Sequence, residues 1–480
     1  MEQDIKLREL HGRRLFGYSL GNFGIFLTRL LIGVFAFQFY VYTVNLDSIL
    51  VSIGLALNLI VDATTSIIFG VITDNKKPGK YGKRRPFLFY LLPIWFFTSI
   101  FIWLPPWNCP QTDSFFLPTA VYFWLILLLN AISGASIISA HISMLPEQSQ
   151  TYKNREKVAA WRAIFMIVAS VISLMLPLMV QSILQDPENV KWWQPSGKVI
   201  LFYMPIIGAS FAIFGLISII LTFFSVDETF HKYTSFTKKN LTLLVSFQKM
   251  ALPAKDKKFK KFLGVAYFNS IAARLFGILI IPFLAFVLKF KGPEFFIYVI
   301  VSITCKLGWF YVWKKILERQ PLIKTYSLCI LTACIASLLE LVFLVQMLSF
   351  EFKVVFFVVT VGTILGAIYG LNLFNAPLAS AIIYETAAKK NNENIDKTVS
   401  TISGSYFGLH SFMMAVGQAC ATILVGIILS GPNEKNPVII TITMSSMGLF
   451  YIISVLILRR IELVKIESTQ LVMKEKALKV

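Results

Sequence analysis

Asn58, Asp62 and Ser66 recur every four residues in an apolar stretch, with Thr65 adjacent, so one helical face can present a carboxylate flanked by neutral oxygens. A sodium ion or a proton needs such a set, held deep enough that water does not compete. Arg29, Arg162 and Arg274 also fall within apolar stretches, and a guanidinium donates two parallel hydrogen bonds to a carboxylate or phosphate. His141, His410 and Ser411 add hydrogen-bonding groups suited to a hydroxylated solute. Each also has a structural reading. Arg29 can neutralise Asp62 in a silent ion pair, an arginine can bind a backbone carbonyl, and a histidine can cap a neighbouring helix.

No acid, base, nucleophile or metal cluster gathers at one depth, which argues against an enzyme. The four histidines form no HExxH and the five cysteines no CxxC, so neither a zinc site nor a disulfide framework is expected. No cofactor is implied. Hydrophobic residues make up 56% of the chain and charged residues 15%, against about 25% charged in a soluble domain. That balance excludes a soluble enzyme and a disordered polar chain. The net charge of +20 would suit nucleic acid, but its Lys and Arg lie between the apolar stretches, which excludes that partner.

Crossing a bilayer takes about 20 residues of apolar helix. Twelve such spans are predicted, at 17–44, 48–73, 86–105, 118–145, 158–184, 199–224, 262–288, 296–313, 325–347, 354–383, 402–429 and 438–458. The fold class is therefore an all-α membrane protein. The first span is too long for a signal-peptide core and is expected to remain. Placing both termini in the cytoplasm puts most of the 45 Lys and Arg on that side, with Lys191, Lys198, Lys289, Lys291, Lys353 and Lys435 opposite. Arg29, Arg162, Arg274 and Lys306 remain within spans. The hydrophilic stretch 225–261, with Lys255, Lys257, Lys258, Lys260 and Lys261, divides a six-span bundle at 1–224 from another at 262–458, and 459–480 forms a cytoplasmic tail. The stretch either follows the anionic inner surface or is a solvated linker.

Between spans 2 and 3, Gly70, Asp74, Gly82, Lys83, Arg84 and Arg85, followed by Pro86, match the G-x-x-x-D…G-[KR]-R-R signature of the major facilitator superfamily. Its two six-helix halves enclose a site near mid-membrane. Asp74, at a helix end, can pair with cations across the inner face and close one gate state. Gly70, Asp74, Gly82, Arg84 and Arg85 are accordingly predicted to gate.

Four stretches carry a narrower resemblance. They are Gly17-Tyr18-Ser19-Leu20-Gly21-Asn22-Phe23-Gly24; Val61-Asp62-Ala63 leading to Gly82-Lys83-Arg84-Arg85-Pro86; Met144-Leu145-Pro146-Glu147, Asn154-Arg155-Glu156 and Trp161-Arg162; and Gly404-Ser405-Tyr406-Phe407-Gly408-Leu409. With them the chain resembles the glycoside-pentoside-hexuronide:cation symporters, which include melibiose permease and are related to lysophospholipid symporters. Departures accompany the matches. Ser66 stands where sodium-coupled sugar members have a second Asp, the sugar-binding acids fall on Phe26 and Ile138, the stacking Trp on Ile142 and the span 11 Lys on Ala415. Asp62, Arg162 and Ser411 are retained.

The resemblance implies a secondary active transporter working by alternating access in the plasma membrane, a multi-pass monomer in the lipid bilayer that moves a small-molecule solute. Coupling to Na+ or H+ would fall to Asp62, Asn58, Thr65 and Ser66. Substrate would contact Arg29, Arg162, Arg274, His141, His410 and Ser411. Surplus arginine in the spans favours an anionic, hexuronide-like glycoside. Arg29 and Asp62 sit at matching depth, roughly 20 and 18 Å above the inner ends of their spans at about 1.5 Å per residue. Two alternatives stay open: a lysophospholipid-type symporter on the same fold, and a non-transporting receptor or scaffold.

Overall fold

Hydrocarbon offers no partner to a backbone amide, so each crossing must satisfy its own, and a helix does so within one segment. The computed structural model describes residues 8–77, 79–228, 248, 250–345, 347–390 and 395–463, with the side chains of Asp74, Tyr152, Lys390, Ser400, Thr401 and residues 395–397 left out. Most of the linker (229–247 and 249), His231 and the tail from 464 onward lie outside the described residues.

Eleven helices are long and apolar enough to cross a membrane. They are span 1 (Gly12–Thr43), span 2 (Ser48–Thr73), span 4 (Leu117–Gln148), span 5 (Lys153–Ser182), span 6 (Pro195–Ser225), span 7 (Lys257–Val287), span 8 (Gly292–Leu317), span 9 (Leu322–Leu344), span 10 (Phe350–Lys389), span 11 (Ile402–Ile428) and span 12 (Pro437–Leu458). A shorter apolar helix, Arg85–Phe101, is span 3. The prediction for span 3 was longer. The helix ends before the Trp103-Leu104-Pro105-Pro106 run and breaks at Leu91, because Pro93 has no N–H to bond the Phe89 carbonyl and its ring crowds that carbonyl. Several other spans extend into polar sequence beyond their apolar core. Caps rather than hydropathy set those ends: Thr151 accepts from Asn154 N, Asp256 from Lys258 N and Phe259 N, and Asn436 from Val438 N and Ile439 N.

Alternation of chain direction gathers 8–14, 76–77, 79–85, 250–261, 314–324 and 459–463 at one end of the bundle, here the basic end. The far end holds 43–48, 102–116, 183–197 and 429–436. Span 2 packs on span 4 and, across the middle, on span 11; span 5 meets span 8 and span 1 meets span 7. Within the last six, span 7 packs on spans 11 and 12.

Spans 1 and 6 approach backbone to backbone. A Cβ placed on Gly24 would lie 1.9 Å from Gly215 Cα, so neither position accepts a side chain. At Gly308 an added Cβ meets nothing within 4 Å. Gly24→Ala should therefore lose about 1–3 kcal/mol, the ordinary penalty of overpacking, and lower the thermal midpoint of the solubilised protein. Gly308→Ala should leave that midpoint where it is or raise it.

Candidate functional site

A cavity of about 410 Å³ lies between spans 1, 2 and 4 on one side and spans 7 and 11 on the other. Arg29, Asn58, Asp62, Asn130, Arg274 and Gln418 supply its polar wall. Arg29 reaches from span 1 to span 2 and donates from Nη2 to Asp62 Oδ1. Both side chains keep about a third of their surface open, 35% and 30%. The pair therefore stays in contact with the cavity instead of being sealed between helices. Asn58 follows one helical turn along the same face.

Arg274 links the two groups of six. Its Nε donates to Thr422 Oγ1 at 3.0 Å on span 11, and Nη1 donates to the Gly33 carbonyl at 2.9 Å on span 1. A guanidinium has five N–H groups, and these two bonds leave capacity for a ligand. The small Gly33 and Gly277 make room beside it.

The other predicted residues fall outside the described lining of this cavity. Ser66 Oγ donates to the Asp62 carbonyl at 3.0 Å within its own helix, and Ser139 Oγ donates to the Ser66 carbonyl at 3.3 Å. Thr65 sits on the same turn. His141 is 1% exposed, stacks on Tyr18 with centroids 4.4 Å apart and donates from Nε2 to the Tyr18 carbonyl at 2.8 Å. Tyr18 returns a bond from its hydroxyl to the His141 carbonyl at 2.8 Å. His410 stacks on Phe262 at 4.9 Å. Arg162 is half-buried and Ser411 exposed, each in the half of its span nearer the basic end. Trp161 joins an aromatic group with Phe16 and Phe165.

Two cavity residues escaped the sequence reading. Asn130 donates from Nδ2 to Thr98 Oγ1 at 3.1 Å and Ser99 Oγ at 2.9 Å. Gln418 lines the cavity from span 11. Amides inside apolar spans at the depth of Asp62 were the available signal, since Asn130 lies roughly 20 Å along span 4 at about 1.5 Å per residue.

Residues 17–463 match the family described as MFS/sugar transport protein. The chain belongs to that family of transporters. An uncharacterized symporter of Synechocystis is 22% identical over 187 residues, 39% of this chain and 34% of that protein, so the chain spans only about a third of the relative it matches. Among solved structures, the nucleoside transporter NupG has a TM-score of 0.61 at 12% identity, covering 94% of this chain and all of that one. A bacterial homolog of the human lysosomal transporter Spinster, inward-facing and unoccupied, scores 0.62 at 15% identity, covering 93% and 95%. The inward open xylose transporter XylE of E. coli scores 0.58 at 12%, covering 95% and 96%. At these identities the solved structures establish the major facilitator fold.

In this family member the Gly82-Lys83-Arg84-Arg85 turn forms a clasp within the first six spans. Gly82 has φ +91 and exchanges backbone bonds with Gly79 at 3.0 and 3.1 Å. A Cβ there would also strike Glu228 Cβ at 2.2 Å. Glu228, fully buried, accepts at Oε2 from Arg84 N at 2.8 Å and Arg85 N at 2.9 Å, seating a carboxylate on the N-terminus of span 3. Arg84 donates to the Ser143 carbonyl at 2.6 Å and Glu147 Oε1 at 2.9 Å, and Arg85 Nε to the Phe223 carbonyl at 2.6 Å. Gly70 has open space at its Cβ position, and the Asp74 side chain lies outside the described residues.

At the far end, polar contacts join the two groups of six. Lys191 Nζ donates to Glu434 Oε1 at 2.8 Å, Lys435 Nζ to the Glu188 carbonyl at 2.7 Å, Tyr42 Oη to the Glu434 carbonyl at 2.9 Å and Ser48 Oγ to the Gly426 carbonyl at 2.7 Å. Burial, with the charge of Lys191 behind it, pulls the Lys435 ammonium below its ordinary range, while Glu434 and two further acids oppose that. Cys109 lies beneath: its carbonyl accepts from Trp192 Nε1 at 2.9 Å, and burial pushes its thiol up to about 12.

Two measurements follow. Glu228→Ala should lose about 1.5–3 kcal/mol, since it strips a charged acceptor from two amides, and thermal unfolding would register it. With its thiol held near 12, Cys109 should react with maleimide at pH 8 about a thousandfold more slowly than a free thiol. Lys191→Glu, which removes a cation that lowers that thiol, should slow the labelling further.

Proposed function

We propose that this protein is a cation- or proton-coupled symporter of a small hydroxylated, anionic solute, a hexuronide-like glycoside in class. The carrying observation is the Asp62–Arg29 pair facing a cavity that Arg274 also lines. A volume of about 410 Å³ falls within the usual range for small-molecule sites, about 300–1,000 Å³. Its polar wall favours such a solute over the greasy groove that a lysophospholipid carrier needs.

Coupling follows from competition for Arg29. Without a bound ion, Asp62 holds the Arg29 guanidinium. A proton or sodium ion on Asp62 neutralises the carboxylate and frees Arg29 to bind a carboxylate on the solute. Asn58 contributes a neutral oxygen one turn away. At the Arg29–Asp62 pair, ion and solute together restore the neutrality that the pair has alone, while Arg274 keeps its Thr422 and Gly33 partners, and the halves can close over the pair without leaving either of its members unmatched. Solute without ion sets two carboxylates against Arg29, and ion without solute leaves Arg29 unmatched, and both resist closure.

The far-end contacts and the exposure of spans 2, 5, 8 and 11 near the basic end fit a carrier open toward the basic side. The positive-inside rule supports reading that side as cytoplasmic, with both termini there, in a carrier of the plasma membrane.

The test is uptake of a labelled glucuronide into proteoliposomes under an imposed sodium or proton gradient. Asp62→Asn should abolish accumulation while retaining exchange of preloaded solute. Arg274→Gln should raise the half-saturating concentration about ten- to a hundredfold, the usual loss for one charge-assisted contact. Full gradient-driven accumulation by Asp62→Asn would overturn the coupling assignment.

A further inference from the structure

A groove of about 610 Å³ opens at the basic end between spans 9 and 12, away from the central cavity. Lys324 and Arg459 line it, and neither forms an ion pair among the described residues. Span 9 begins there at Leu322, and no side chain among the described residues caps its first turn. Uncapped first-turn amides present partial positive charge and free donors. Ser327, one turn below Lys324, also lines the groove. It is 6% exposed, and its Oγ has no hydrogen-bond partner among the described residues. A buried hydroxyl without a partner is uncommon and calls for a ligand or water. Beyond these polar groups, Leu328 and Leu331 continue the groove along the helix as an apolar track.

We propose that this groove binds an anionic phospholipid. Its phosphate lies against the span 9 amides between Lys324 and Arg459, the Ser327 hydroxyl donates to it, and an acyl chain follows Leu328 and Leu331. Two cations and a helix N-terminus at one spot match a phosphate, and the adjoining apolar track matches a lipid rather than a free ion. Basic pockets between transmembrane helices at the membrane surface are suited to such headgroups.

The full-length protein is exchanged into vesicles of phosphatidylcholine alone or of phosphatidylcholine with phosphatidylglycerol, and retained lipid is read by native mass spectrometry. Wild-type protein should retain phosphatidylglycerol in preference to phosphatidylcholine. Lys324→Gln and Arg459→Gln should each weaken that retention about fivefold, as expected for one basic residue at an anionic headgroup. Ser327→Ala should weaken it further. Lys257→Gln, an exposed basic residue elsewhere at the same end, should leave it unchanged. Equal retention of the two lipids by the wild type, which needs no variant to fold, overturns the proposal. So does unchanged retention in Lys324→Gln/Arg459→Gln, or displacement of the lipid by inorganic phosphate, which would assign the groove to a free anion.

Discussion

A carboxylate in the middle of a bilayer must be matched, because insertion of an isolated charge costs about 3 kcal/mol or more. In this chain Arg29 matches Asp62, from a neighbouring helix and at the wall of a cavity. The arrangement of the other central residues follows from that contact. Asn58 and Asn130 surround it with neutral polar groups, and Arg274 crosses from the last six spans to the Gly33 carbonyl. The pair is open to the cavity, so its charge balance can be altered by anything that enters.

The two ends of the bundle are held by different physics. At the basic end, Glu228 draws the Arg84–Arg85 turn onto the start of span 3, and Lys258 pairs with Glu385 on span 10 at 2.5 Å. Each contact stays within one group of six. At the far end Lys191, Tyr42, Ser48 and Lys435 reach across to the other group. Polar bonds of that kind are individually modest and reversible in the presence of water. Backbone contact such as that of Gly24 with Gly215 is neither. Close packing also crosses between the groups, where a Cβ on Gly426 of span 11 would lie 2.4 Å from Ser52 Cβ and 2.8 Å from the Ser48 carbonyl of span 2.

Legibility in the sequence tracked the range of the interaction involved. Apolar runs located the eleven helices long and apolar enough to cross a membrane among the described residues, and the shorter Arg85–Phe101, since a span is a local property of some twenty consecutive residues. Their ends shifted wherever a cap such as Thr151 or Asp256 outweighed hydropathy. Depth along the helix brought Arg29, Asp62 and Arg274 to one cavity, while His141 and His410, equally intramembrane by count, turned to stack on Tyr18 and Phe262. Helical phase alone does not separate those outcomes, because the partner lies more than a hundred residues away.

The amino-acid sequence by itself determined the membrane-spanning class, the positions of the apolar helices and the residues able to bear charge within them, because hydropathy and chain length act locally. Only the tertiary structure decided which charges meet. Glu228 became the anchor of the Gly82 turn, Asn130 and Gln418 joined the cavity wall, and Lys191 found Glu434 across 243 residues. Each depends on how helices rotate and pack, and that rotation is fixed by close contacts such as Gly24 on Gly215, which no single stretch of chain encodes.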